Sequence, residues 1–128
     1  MRIVTSEHPA PESALAIAND QDVLALAGVL LDKPQVRLSF PKWTDGRAYS
    51  QARLLRGRLR YSGEIWADGE VLPDMLPLLQ RCGFDVARLA PGQDAGTAQR
   101  AQSHFHGLGP LYQADLVSKL PQFARATR

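Results

Sequence analysis

The chain has 128 residues, 45% of them hydrophobic, with fifteen basic and thirteen acidic side chains and a formal net charge of +2. That length suits one domain with an ordinary buried core, and so modest a charge argues against a nucleic-acid module. A lone cysteine, Cys82, rules out an intrachain disulfide and cannot by itself ligate an iron–sulfur cluster. With no charged-then-apolar leader and no run of membrane-spanning length, a cytoplasmic protein with no membrane attachment is expected.

Residues 1–13 carry Pro9 and Pro11 and show no period. They read as an irregular N-terminal arm with a short extended piece at Ile3 and Val4, and residues 14–128 read as a single α/β domain. Ala14 to Ala18 is a short apolar run, a first strand. Val23, Leu26, Ala27, Leu30 and Leu31 then recur at helical spacing until Asp32-Lys33-Pro34 ends the helix. From Gln35 to Phe40 apolar and polar residues alternate as in a strand, and Pro41 stops the ladder. Thr44-Asp45-Gly46 supplies turn chemistry before a helix over Arg47 to Leu59, whose stripe of Ala48, Ala52, Leu55 and Leu59 should face the sheet. Tyr49, Arg53, Arg56 and Arg60 fall on an adjoining basic face.

Glu64 to Asp68 reads as a third strand, with Gly69 turning into a third helix over about Leu72 to Cys82. Pro73 suits that helix's first turn, whereas Pro77 is expected to kink or shorten it. Gly83 ends the helix, Phe84 to Leu89 is a fourth strand, and Pro91 to Asp94 is a loop. Ala95 to His106 reads as a fourth helix, Leu108 to Gln113 as a short fifth strand, and a helical tail follows from about Asp115.

Strands alternating with helices predict βα units and a mainly parallel sheet, either open or half-barrel-like. The exposed parallel edges of such a sheet point to a homodimer. Ligands collect at the carboxyl ends of parallel strands, which here should carry Lys42, Asp45, Arg47, Asp68, Glu70 and the loop after Leu89. The helix that starts after Gly46 offers unpaired N–H groups and a favourable dipole to a small oxyanion. Lys42, Asp45, Arg47, Tyr49 and Ser50 gather there as a candidate anion or substrate site, with Thr44 or Asp45 as cap. Arg47 is the first choice for the anion contact, because its fork can grip an oxyanion bidentately. Arg53 and Arg56 are the candidate partner contacts on the basic helix face.

No catalytic residue can be assigned. Ser50 has no obvious histidine partner, Lys42 suits anion pairing better than Schiff-base chemistry, and Asp74 suits a helix's first turn as well as acid–base work. His104 and His106, two apart with His8 distant, read as surface polarity, so no metal site is expected. There is no Gly-x-Gly-x-x-Gly after the first strand and no haem-attachment motif, so no bound cofactor is expected.

Phe40-Pro41-Lys42, Asp45-Gly46-Arg47, Tyr49-Ser50-Gln51-Ala52-Arg53-Leu54-Leu55-Arg56, Gly63-Glu64, Ala67, Gly69, Asp74 and Arg81-Cys82-Gly83-Phe84-Asp85 form a linked set of motifs. Together they resemble a bacterial family of uncharacterised small proteins labelled as oxidoreductases of sulfite reduction, over about residues 14 to 90. The family tends to have arginine at Trp66 and aspartate at Glu70. The resemblance implies a role in sulfur assimilation. Joined to the missing redox motif, it predicts an accessory protein of assimilatory sulfite reduction that contacts sulfite reductase components or binds an oxyanion. The alternative is a small enzyme holding an anionic substrate at the strand ends.

Overall fold

The structure, a computed structural model, describes residues 1–100. The chain forms five strands, β1 (Arg2–Val4), β2 (Leu15–Ile17), β3 (Gln35–Phe40), β4 (Glu64–Gly69) and β5 (Val86–Arg88). They make one open sheet in the order β1-β5-β4-β3-β2, and every neighbouring pair is parallel. The expected α/β fold is therefore present, and the sheet is parallel throughout its described strands. The extended piece at Ile3 and Val4 is β1, which pairs with β5 at the sheet's edge, Arg2 opposite Val86.

Three helical crossovers join β2 to β5. The first is a 3-10 turn over Val23–Leu26, where the Asp22 carboxylate accepts the Leu24 N–H, followed by α1 (Ala27–Leu30). The second is α2 (Arg47–Gly57), which ends two residues short of the predicted Leu59. The third is a 3-10 turn over Pro73–Met75 leading into α3 (Leu76–Cys82). Pro77 lies in the first turn of α3, so it marks where the helix begins and does not kink its middle. Gly83 then stops α3 with φ +107°, the left-handed geometry in which a side chain would be strained.

Period-two alternation splits the sheet into two unlike faces. Val36, Leu38 and Phe40 of β3, Ile65 and Ala67 of β4 and Ala87 of β5 turn to one side, where they form a single core with Ala48, Ala52 and Leu55 of α2 and Leu76 and Leu79 of α3. The opposite face carries Gln35, Arg37 and Ser39 from β3, Glu64, Trp66 and Asp68 from β4, and Val86 and Arg88 from β5. Because β1 and β2 occupy opposite edges, residues 5–14 must cross the whole sheet, and they do so over this polar face. Arg88 donates to the Ser6 and His8 carbonyls at 2.7 Å each, and the Ser13 hydroxyl donates to Gln35 at 2.9 Å. Trp66 lies beneath this strap, 1% exposed, with the His8 ring 6.0 Å away and the Arg2 guanidinium 5.4 Å from its own ring.

Beyond Leu89, Asp94 accepts the Gly96 and Thr97 N–H groups and caps the helical turns that open at Ala95. The rest of that expected helix, the strand over Leu108 to Gln113, the tail from Asp115, and His104 and His106 lie outside the described residues.

Candidate functional site

The carboxyl edge of the sheet begins with a close approach of two backbones. Gly69 ends β4 with φ +101°, and a Cβ there would stand 2.4 Å from the Phe40 carbonyl oxygen, so only glycine lets the chain pass. The Glu70 N–H then reaches that carbonyl at 2.7 Å, and the Glu70 carboxylate accepts the Trp43 N–H at 3.2 Å. The loops after β3 and β4 are stitched together, and Trp43 is held with its ring outward, 54% exposed.

Asp45 controls the start of α2 from just outside the helix. The N-cap position belongs to Gly46, and no side chain caps it. Asp45, one residue earlier, accepts the Arg47 N–H at 3.1 Å, and Thr44 takes no part. The same carboxylate receives Arg47 Nε at 3.0 Å and Arg47 Nη2 at 2.7 Å, and on its other flank Asn19 of the loop after β2 at 2.7 Å. These donors, Arg47's foremost, hold the Asp45 carboxyl at about 2, well below the usual carboxylate range, and Asp45 in turn raises the Arg47 guanidinium further. An oxyanion arriving at Arg47 must therefore compete with a carboxylate already in its fork.

The other predicted residues separate. Lys42, Ser50 and Arg53 are exposed. Tyr49 turns inward, its ring edge-on to Phe40 with centroids 5.0 Å apart, and burial pushes its hydroxyl upward, so it is a core side chain that stays neutral. Arg56 does not share the exposed face with Arg53: it is 6% exposed and points to the amino edge of the sheet. There its guanidinium donates to the carbonyls of Gly83 at 3.1 Å, Tyr61 at 2.7 Å and Gly63 at 2.8 Å, and pairs with Asp85. Asp85 also accepts the Ile65 N–H at 2.9 Å. A helix arginine read from sequence as a partner contact is instead the bolt that ties α2 to the starts of β4 and β5.

Between the carboxyl ends of β3, β4 and β5 lies a cleft of about 780 Å³. Of the edge predicted from sequence it holds Asp68, Glu70 and the loop after Leu89, while Lys42, Asp45 and Arg47 are not among its walls. Ser6, Ser39 and Arg88 line it instead. Asp68 is bracketed by two guanidiniums, Arg37 at 3.2 Å and Arg88 at 2.8 Å, and takes the Gly69 N–H at 2.9 Å. Sequence reasoning passed over Arg37, Ser39, Trp43 and Arg88. The alternation of β3 already put Arg37 and Ser39 on one face, but Arg88 joins them only through the pairing of β5 with β4. A second hollow, about 630 Å³, lies at the amino edge between α1 and the Leu59–Gly63 turn and is walled chiefly by Leu30, Leu31, Pro34 and Tyr61.

Among the described residues no group of three or more His, Cys, Asp or Glu side chains is arranged to hold a metal ion, and no helix is long and apolar enough to cross a membrane. Compared with known proteins, the chain matches, over residues 14–123, a family described as bacterial protein of unknown function, DUF934. No curated protein and no solved structure matches it.

Proposed function

Given that the chain belongs to this bacterial family, we propose that it is an accessory protein of assimilatory sulfite reduction which docks, through the carboxyl-edge corner at Lys42 and Trp43 and the exposed side of α2, onto an acidic surface of a sulfite reductase component. The observation that carries this reading is the exposed Trp43, whose backbone is pinned by Glu70 and which stands in the most basic stretch of the chain. Residues 42–60 hold six of the fifteen basic side chains and one of the thirteen acidic ones, a net +5, leaving −3 for the rest of a chain whose total is +2. Arg56 is buried and Arg47 is held by Asp45, so Lys42, Arg53, Arg58 and Arg60 are the cations on offer, none with an acidic partner within 4 Å among the described residues. A fixed aromatic flanked by cations is the composition of a binding hot spot, and its charge steers an acidic partner.

The test is capture of purified sulfite reductase components on the immobilised protein. Trp43→Ala should weaken capture at least tenfold, about the cost of losing a hot-spot aromatic, and Arg53→Ala should weaken it less and make it less salt-sensitive. If the unaltered protein captures none of the components, the accessory role falls. If it captures them and neither substitution matters, the docking face lies elsewhere.

The alternative of a small enzyme gripping an anionic substrate with Lys42, Asp45, Arg47, Tyr49 and Ser50 is less well supported, because Asp45 fills the Arg47 fork and Tyr49 faces the core. In the proposed role the protein acts as a homodimer, since β1 and β2 leave both edges of the described sheet unpaired. Sedimentation at micromolar concentration checks this.

A further inference from the structure

Trp43 apart, the large apolar side chains left in solvent among the described residues are Leu24, Val29 and Leu31, and all three stand within eight residues on the helical crossover from β2 to β3. Leu31 is 88% exposed. Val23, Leu26 and Leu30 turn inward and anchor the same crossover to the core, so it is folded in place with its outer side bare. Because β2 is the edge strand, no other described crossover stands beyond it. The bare side is also self-complementary. Leu24 and Leu31 fall four residues before and three residues after Gly28, spacings that put all three on one side of the helix, with Val29 next to Gly28. A Cβ at Gly28 would meet nothing within 4 Å, so the backbone there is open to close approach.

A second copy laid antiparallel across Gly28 brings its own Gly28 to the crossing, its Leu24 to Leu31 and its Leu31 to Leu24, so that each contact is made twice. The hollow of about 630 Å³ at the amino edge lies beside Leu31, walled also by Ala27, Leu30, Leu59 and Tyr61, and the incoming Leu24 stands at its mouth. Charge selects the same arrangement. Asp20 and Asp22 precede the face, whereas Asp32, Lys33 and Arg60, one negative and two positive charges, line the hollow at its other end. None of the five has an ion-pair partner within 4 Å among the described residues. In the antiparallel pair the doubly negative end of each copy meets the net positive end of the other, while a parallel pair would set like ends together. We infer that the bare side of the β2–β3 crossover is where a second copy of this chain docks, with Gly28 at the two-fold axis and Leu24 of each copy seated against Leu31 and the hollow of the other.

This gives the homodimer of the proposed role its surface and rests on that part of the role alone. Arg60 also belongs to the docking face, so the variants leave it in place. The experiment is sedimentation of the full chain from micromolar to submillimolar concentration, joined to oxidation of Gly28→Cys and non-reducing electrophoresis. The unaltered chain should dimerise, and Leu31→Glu should weaken the dimer at least tenfold, the worth of one buried leucine, with an unaltered circular-dichroism spectrum. Gly28→Cys should form an interchain disulfide that Thr97→Cys, an exposed site elsewhere, does not, and Cys82 is buried and takes no part. A chain that stays monomeric throughout overturns this surface and the homodimer together. A dimer that keeps full affinity in Leu31→Glu, or in which Gly28→Cys crosslinks no faster than Thr97→Cys, overturns the surface and leaves the homodimer standing. Capture of sulfite reductase components, read at Trp43 and Arg53, is decided by neither result.

Discussion

The two ends of α2 carry arginines of identical chemistry and opposite fates. Arg56, near the carboxyl end, is sealed into the amino edge of the sheet, where three carbonyls and Asp85 receive its donors. Arg47, at the amino end, lies in solvent and is satisfied by one neighbouring carboxylate two residues away. One edge of the sheet spends its charge on holding strands together, while the other keeps its charge near the surface. The contrast teaches that a basic helix face is divided by what the helix ends meet.

The largest effect that would sharpen this contrast is Arg56→Ala. It leaves the Tyr61, Gly63 and Gly83 carbonyls without their donor and should cost at least about 3 kcal/mol, since each buried polar group so orphaned costs roughly 1–3 kcal/mol, whereas Arg53→Ala should stay within about 0.5 kcal/mol of the unaltered protein. Urea denaturation of both variants measures the difference, and equal stabilities would erase the distinction between the two edges. Next comes Gly69→Ala, which forces a side chain into a left-handed position against the Phe40 carbonyl. It should lower stability by about 1–3 kcal/mol through backbone strain and loosen the Trp43 loop, seen as faster amide exchange at Trp43 and Glu70.

Smaller still is the acid response of the exposed edge. The Asp45 carboxyl sits at about 2 in the folded protein against 3.8 for the unperturbed group, so the folded state holds the ionised form more strongly. Its contribution is fully present above pH 4 and is lost as the pH falls from 4 towards 2. Asp45→Asn should flatten the stability profile within that window and leave the profile above it parallel to the original. Denaturation midpoints at pH 2, 3, 4 and 6 test this, and an unchanged slope between 4 and 2 would show that the Arg47 pair is as strong in the unfolded chain.

Much of the scaffold was legible because it rests on local rules. The alternation over Gln35 to Phe40 gave β3 with its observed bounds, and the apolar stripe Ala48, Ala52 and Leu55 gave the buried side of α2. Of the two effects expected of Pro77, the shorter helix is present and the kink is not, because a 3-10 turn at Pro73–Met75 moves the start of α3 up to meet the proline. The edge of the sheet that bears the cleft was legible through Asp68, Glu70 and the loop after Leu89. Arg56 was misplaced because its surroundings, Gly83 and Asp85, lie 27 and 29 residues further along the chain and come near only when β5 docks. Arg88 escaped notice for a similar reason. Its value lies in Asp68 and in a strap some eighty residues earlier, which no local pattern announces.

The strand order also dictates a timetable. Strands β2 to β5 follow one another across the sheet and can add in the sequence in which they are synthesised, but among the described residues β1 has its only strand neighbour in β5, residue 2 against residue 86. β1, made before every other described strand, must therefore wait for the last of them, and closing so long a loop is the slow kind of contact in folding. Until then Trp66 is without the strap that covers it, and a nascent chain halted before Val86 exposes a large aromatic surface to whatever chaperone or neighbour is at hand.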